Sequence, residues 1–203
     1  MKNAFRINKC AGILLAAGSS DRLGEPKQLL TYNGKSFLEN MIAAAMEAQL
    51  DPIVVVLGAY APEIARTIDD EAVQVVENKE WNEGIASSIR YGIGELEKRN
   101  PAVDAAILMV CDQPHLTSNV LKDIRLAQEQ SGNPVVAAYY NGVAGTPALF
   151  HKSLFPELLL LTGDRGARKF LREHADLMTT VSFPLGIVDI DTKDHYEKLK
   201  QNT

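Results

Sequence analysis

Apolar residues in this chain come in short runs, and longer segments of mixed polarity separate them. Ala11–Ala17, Ile53–Leu57, Val73–Val76, Ala105–Val110, Val135–Tyr139 and Ile187–Ile190 each read as a strand. Several are apolar at odd and even positions alike. A strand buried on both faces has that pattern, and such strands belong to parallel sheets covered by helices. Between the runs, apolar residues return every three or four positions, most clearly in LENMIAAAMEAQL. This spacing predicts helices over about Ser36–Gln49, Ala61–Asp69, Ile85–Lys98, Ser118–Glu129, Arg165–His174 and Lys193–Lys200. Ser36 precedes Glu39 by three residues, the spacing of a capping box in which each side chain bonds the other's backbone N–H. Thr117 or Ser118 is placed to cap the fourth helix, and Thr192 the last. Alternating strands and helices imply βαβ units with right-handed crossovers. The expected fold class is therefore α/β: a Rossmann-like, doubly wound, mostly parallel sheet with helices on both faces. No repeat, linker or low-complexity segment divides the pattern, so residues 1–203 are expected to form a single domain.

Composition narrows the partners. A chain of 203 residues buries about 70% of its unfolded surface and needs no disulfide or metal staple. The net charge is −5 and no basic run occurs, which argues against nucleic acid. A local basic loop in an acidic protein suits a small anionic ligand better. No apolar run reaches the roughly 18 residues of a membrane span. The first ten residues, MKNAFRINKC, lack the apolar core of a secretory signal. Cys10 and Cys111 lie in or beside apolar runs and read as reduced core thiols of a cytoplasmic protein.

The candidate chemistry begins at residues 13–30, ILLAAGSSDRLGEPKQLL. An apolar strand runs into a loop carrying Gly18, Arg22, Gly24 and Lys27. Glycines let backbone N–H groups approach phosphate oxygens, and the two cations offset their charge. The dinucleotide fingerprint G-x-G-x-x-G is absent. The P-loop register also fails, because five residues separate Gly18 from Gly24 and Glu25 follows. In doubly wound sheets ligands sit outside the carboxyl ends of the strands. Three polar segments fall at such ends: this loop, Cys111-Asp112-Gln113-Pro114, and Asp189-Ile190-Asp191-Thr192.

The run Leu15-Ala16-Ala17-Gly18-Ser19-Ser20-Asp21-Arg22-Leu23-Gly24-Glu25-Pro26-Lys27 matches the nucleotidyltransferase pattern L-A-A-G-x-S-x-R-x-G-x-x-K. Further matches are Asn82–Gly92, Asp112-Gln113-Pro114, Gly145–Phe150, Thr162–Arg168 and Asp189–Thr192. Across about residues 10–199 the chain resembles the molybdenum cofactor cytidylyltransferase family, within the MobA-like nucleotidyltransferases. The resemblance implies the nucleotide-diphospho-sugar-transferase-like version of the fold. It places nucleotide binding in about residues 10–130, at Leu15, Ala16, Ala17, Gly18, Ser19, Arg22, Lys27, Gly84, Ser87 and Ser88. It places an acceptor side in about 140–185, with Gly145, Pro147, Asp164, Arg165 and Arg168.

The implied reaction moves CMP from CTP, or another nucleotide from its triphosphate, to a phosphorylated acceptor. That acceptor would be molybdopterin-type cofactor, with a molybdenum hydroxylase as downstream client. An acceptor phosphate is already anionic, so no strong base is needed, and positioning two polyanions is the main task. Arg22, Lys27 and Asp112 would be the catalytic set, the cations facing charge on the α-phosphate and the departing pyrophosphate. Asp112 would hold Mg²⁺, with Asp189 or Asp191 as a further ligand. Asp189 and Asp191 suit a turn or a helix cap equally well. Ala17 occupies the position where this family's cytidine enzymes carry Ala and its guanosine enzymes Gly; a methyl there narrows the base pocket toward pyrimidines. The competing readings are a transferase acting on a sugar or alcohol phosphate, and a non-catalytic nucleotide- or cofactor-binding accessory protein.

Overall fold

The computed structural model describes residues 5–163 and 166–201. Its strands are β1 (Cys10–Ala16), β2 (Thr31–Tyr32), β3 (Lys35–Ser36), β4 (Ile53–Leu57), β5 (Val73–Glu77), β6 (Ala105–Val110), β7 (Val135–Tyr140), β8 (Val143–His151) and β9 (Met178–Ser182). Its helices are α1 (Phe37–Glu47), α2 (Ala61–Ala65), α3 (Ile85–Arg99), α4 (Ser118–Ser131), α5 (Phe155–Leu158), α6 (Ala167–Glu173) and α7 (Lys193–Gln201). Seven strands form one sheet in the order β5-β4-β1-β6-β8-β7-β9. β5, β4, β1 and β6 are mutually parallel, as the continuous apolar runs require. β8 runs antiparallel to both β6 and β7, and β9 lies parallel to β7 at the edge.

Period-two alternation sends each strand into two cores. Leu14 and Ala16 of β1, with Ile107 and Met109 of β6, face α1, α4 and Leu199 of α7. Ala11, Ile13 and Leu15, with Ala106 and Leu108, face α3, α5 and α6. The capping box predicted at the start of α1 is present: Ser36 Oγ accepts from Glu39 N, and Glu39 accepts from Ser36 N. Thr192 Oγ1 accepts from His195 N at 3.3 Å, while Thr117 precedes α4 without a side-chain cap bond. α2 is shorter than predicted, because the Thr67 hydroxyl takes the Ile64 carbonyl at 2.8 Å just past the helix end.

Two differences matter for the site. Residues 187–190 are not a strand. Pro184–Ile187 forms a single 3₁₀ turn, closed by Gly186 N to Phe183 O at 2.8 Å and Val188 N to Leu185 O at 3.1 Å. Gly186 is packed so tightly that a Cβ there would meet Phe183 and Tyr140. The chain then passes the end of β6 and donates one bond, Ile190 N to Asp112 O at 3.0 Å. The second difference is β8, which carries Gly145, Thr146 and Pro147 inside it. These residues sit where the β7–β8 register shifts between Ala137 and Ala138, so the interrupted sequence is absorbed by a bulge.

Candidate active site

β1 delivers the chain to a tight loop at the carboxyl edge of the sheet. Leu23 N and Gly24 N both bond Ser20 O, and buried Leu23 anchors the loop against the core. Gly24 takes a positive φ of 77°, where glycine costs least. A 3₁₀ turn, Lys27–Leu29, follows. Buried Gln28 reaches back, its amide donating to Ala16 O at 2.7 Å and Gly18 O at 3.2 Å. Ser20 Oγ accepts from Lys27 N at 3.2 Å. These bonds fix the strand end, the glycine loop and the base of Lys27 as one unit.

Lys27 crosses the edge to the carboxylates. Its Nζ lies 2.8 Å from Asp191 Oδ1 and 3.6 Å from Asp112 Oδ2. Arg22 Nη2 lies 2.8 Å from the other Asp191 oxygen. Three segments far apart in sequence therefore meet here, and the Ile190–Asp112 backbone bond brings the last two together. Burial raises the Asp112 carboxyl above the ordinary carboxylate range. Lys27 works against that shift, while Asp191 and Asp189 add to it. Burial also opposes the charge on Asp191, but Lys27 and Arg22 outweigh it and hold that carboxyl below its usual range. Burial disfavours the Lys27 ammonium, yet Asp112 and Asp191 outweigh it and raise its pKa.

Two compartments open beside this cluster. One, of about 320 Å³, is lined by Leu15, Ala16, Ala17, Gly18, Ser19, Lys27, Gly84 and Ser88. The other, of about 450 Å³, is lined by Gln113, Tyr140, Thr146, Arg168, Arg172 and Asp189. Leu15, Ile85, Val110 and Asp112 border both, so Asp112 stands on the ridge between them. The family model for the MobA-like NTP transferase domain matches residues 12–177. The chain belongs to that family.

Its relatives extend along nearly the whole length. Nicotine blue oxidoreductase of Paenarthrobacter nicotinovorans is 30% identical over 199 residues, covering 93% of this chain and 95% of the relative. A probable molybdenum cofactor guanylyltransferase of Bacillus cytotoxicus is 24% identical over 201 residues, covering 95% and 97%. Among solved structures, Rv0371c of Mycobacterium tuberculosis H37Rv superposes with a TM-score of 0.83 at 27% identity, covering 97% of this chain and 100% of its own. The same protein has been solved in complex with manganese, with a TM-score of 0.77 to this chain.

Within this MobA-like domain the predicted site residues separate by position. Arg22, Lys27, Asp112 and Asp191 form the ion-paired cluster, and Asp189 lines the larger compartment beside it. Ser88 lines the smaller compartment, but Ser87 is turned inward. Its hydroxyl donates to Gly84 O at 2.9 Å and accepts from buried Asn78 at 2.9 Å, which leaves it no proton for a ligand. Gly145 and Pro147 flank Thr146, and Arg168 lies over the Tyr140 ring at 5.8 Å. Asp164 and Arg165 lie outside the described residues. Among the described residues no three His, Cys, Asp or Glu side chains form a group that could hold a metal ion by themselves. The cluster still fits a cation held by one carboxylate plus ligand phosphates. Burial, together with two further carboxylates, raises the Asp112 pKa, a setting a divalent ion relieves.

Sequence reasoning missed the neutral residues that hold the site. Asn78 donates to Ser87 and to Ser88 Oγ, at 2.9 and 3.1 Å. The Gln113 amide donates to Tyr140 Oη at 3.3 Å, Thr146 O at 3.1 Å and Gly186 O at 2.9 Å. The signal in hand was a lone amide at the edge of an apolar run, as for Gln28 in EPKQLL and Gln113 in VCDQP, which propensity alone does not flag.

Proposed function

We propose that the protein transfers CMP from CTP to a molybdopterin-type cofactor and releases pyrophosphate. The observation that carries this reading is the meeting of Lys27, Asp112 and Asp191 within 3.6 Å on the ridge between two compartments. A transfer reaction needs two ligand sites sharing one charged centre. The glycine loop and Ser88 would take the nucleotide. An oxygen of the acceptor phosphate would attack the α-phosphorus, and the bond from that phosphorus to the bridging oxygen of the β-phosphate would break. The nucleophile carries its own charge, so no side chain need remove a proton. Lys27 and Arg22 would face the oxygens on which charge builds. Asp112, with Asp189 and Asp191 near it, would hold magnesium, which when bound offsets negative charge on the triphosphate.

The acceptor reading has its own support. Arg168 and Arg172 line the larger compartment and also a neighbouring recess of about 540 Å³. That recess is walled by Tyr139, Val143, Leu171 and Met178. Cations beside an apolar hollow suit an acceptor with a phosphate and a ring body. The preference for cytidine rests on Ala17, which is buried at the wall of the nucleotide compartment. The Bacillus cytotoxicus relative is named a guanylyltransferase, which makes GTP the competing nucleotide.

A panel of nucleoside triphosphates with purified molybdenum cofactor, followed by pyrophosphate release, tests the whole reading. CTP is expected to be preferred, Asp112→Ala to abolish turnover, and Ala17→Gly to broaden use toward GTP. Equal use of GTP by the unmodified protein overturns the base assignment. Turnover only with a sugar or alcohol phosphate overturns the acceptor. Tight CTP binding with no pyrophosphate release favours an accessory protein.

A further inference from the structure

The Asp191 carboxylate occupies both cations of the nucleotide loop at once. One oxygen lies 2.8 Å from Lys27 Nζ and the other 2.8 Å from Arg22 Nη2. That is how two oxygens of a phosphate would be held by the same two side chains. Within the ion pairs Lys27 and Arg22 face Asp191 and Asp112, and Asp189 adds further negative charge beside Asp112. A triphosphate entering such a cluster would find its cations taken and would face a carboxylate among its own oxygens.

The parts differ in freedom. Lys27 is mostly buried and braced through Ser20, whereas the Arg22 side chain is 71% exposed on the loop. Asp191 sits on the irregular stretch between the Pro184–Ile187 turn and α7, outside any strand or helix. The Ile190 N–H to Asp112 bond and the burial of Ile190 fix the backbone there. A side-chain rotation of Asp191 therefore suffices to break both pairs without moving the fold.

We propose that Asp191 is an internal stand-in for phosphate, holding Lys27 and Arg22 in the nucleotide-free protein until a triphosphate displaces it. This rests on the reading that the cleft takes a nucleoside triphosphate. Displacement leaves the two cations on the phosphates and turns a carboxylate loose beside Asp112. Asp191 thus becomes available to a cation, alongside Asp112 and Asp189, only as the nucleotide arrives. Bare nucleotide must compete with Asp191, so it binds less tightly than two cations and a glycine loop would otherwise allow.

Calorimetric titration of CTP in EDTA measures that competition without turnover. Asp191→Asn is expected to tighten metal-free CTP binding at least fivefold, and pyrophosphate binding in the same direction. Asp194→Asn removes a charge three residues further on, in the first turn of α7, without freeing either cation, and is expected to change binding less than twofold. If both variants tighten equally, the effect is the general field and the proposal fails. If Asp191→Asn leaves binding unchanged or weakens it, Asp191 is a brace for Lys27 and the proposal fails. Asp191→Ala, checked for native circular dichroism, repeats the test should the Asn variant not fold. Should the unmodified protein bind no nucleotide with or without magnesium, the nucleotide reading itself falls, a result distinct from a failure confined to Asp191.

Discussion

Asp104, just ahead of β6, has no place in the proposed chemistry, yet it ties three chain segments together. Its Oδ2 accepts N–H bonds from Asn8 at 2.9 Å and Lys9 at 3.2 Å, and its Oδ1 pairs with Lys152 at 2.9 Å. Burial disfavours the charge, but these partners outweigh it and hold the carboxyl below its ordinary value. A depressed carboxyl contributes stability that is fully present above its unfolded pKa and is lost as pH falls through the folded one. Asp104→Asn is therefore expected to cost about 1–2 kcal/mol at neutral pH. The gap should close below about pH 4, which urea titrations at pH 7 and pH 3 would reveal. A gap of equal size at both values would mean the carboxylate charge is irrelevant. At this scale the sequence was readable where a residue's charge served a ligand. Arg22, Lys27 and Asp112 stood out because a polyphosphate needs such groups at strand ends. Asp104, Gln28, Gln113 and Asn78 did not, because their partners are backbone groups and hydroxyls distant in sequence. Ser87 shows a related limit: a hydroxyl that starts a helix beside a cleft looks the same in sequence whether it faces outward or, as here, toward Asn78.

Helix α3 holds two glycines whose replacement should act in opposite directions. At Gly92 a Cβ would meet Ile13 Cγ2 and Val56 Cγ2, both at 2.9 Å, where the helix lies against the sheet. At Gly94 the nearest atom would be Leu159 Cδ2 at 3.9 Å, an ordinary contact. Replacing glycine by alanine inside a helix gains about 0.5–1 kcal/mol of backbone entropy. Crowding a packed core costs about 1–3 kcal/mol. Gly94→Ala is expected to stabilise by about 0.5–1 kcal/mol, and Gly92→Ala to destabilise by about 1–2 kcal/mol. Thermal unfolding of the two variants checks the signs, and stabilisation by both would show that the core yields to the added methyl. Elements with one strong period were legible, as α1 with its capping box and the parallel strands β1, β4 and β6 attest. β8 was not, because Gly145 and Pro147 break its alternation and only the bulge opposite Ala137 accommodates them. The run at 187–190 was apolar enough for a strand, but Pro184 and the tightly packed Gly186 turn the chain before it can pair.

At the scale of the whole molecule, the parallel half of the sheet meets its mixed half where β6 pairs with antiparallel β8. Sequence alternation predicted the parallel half, while pairing between β6 and β8 depends on contacts 40 to 46 residues apart and left no local trace. The carboxyl end of β6 is also where Asp112 separates the two compartments. One side chain spans that junction. Gln113, next to Asp112 and almost fully buried, bonds Tyr140 at the end of β7, Thr146 within β8 and Gly186 in the turn before Asp189. Tyr140 in turn supports Arg168, whose guanidinium lies 3.5 Å from its hydroxyl. Gln113 thus braces the walls of the proposed acceptor compartment and touches none of the glycine loop. Gln113→Met keeps the length and removes the donor, leaving two carbonyls without it. The expected destabilisation is about 1–3 kcal/mol. It is softened by the loss of Gln113 Oε1, which finds no partner among the described residues. If the junction orders the acceptor side alone, the KM for acceptor should rise at least fivefold in this variant while nucleotide affinity changes less than twofold. Equal losses on both sides would place Gln113 under the shared ridge instead, and a purely thermal effect with unchanged kinetics would reduce it to a structural tie.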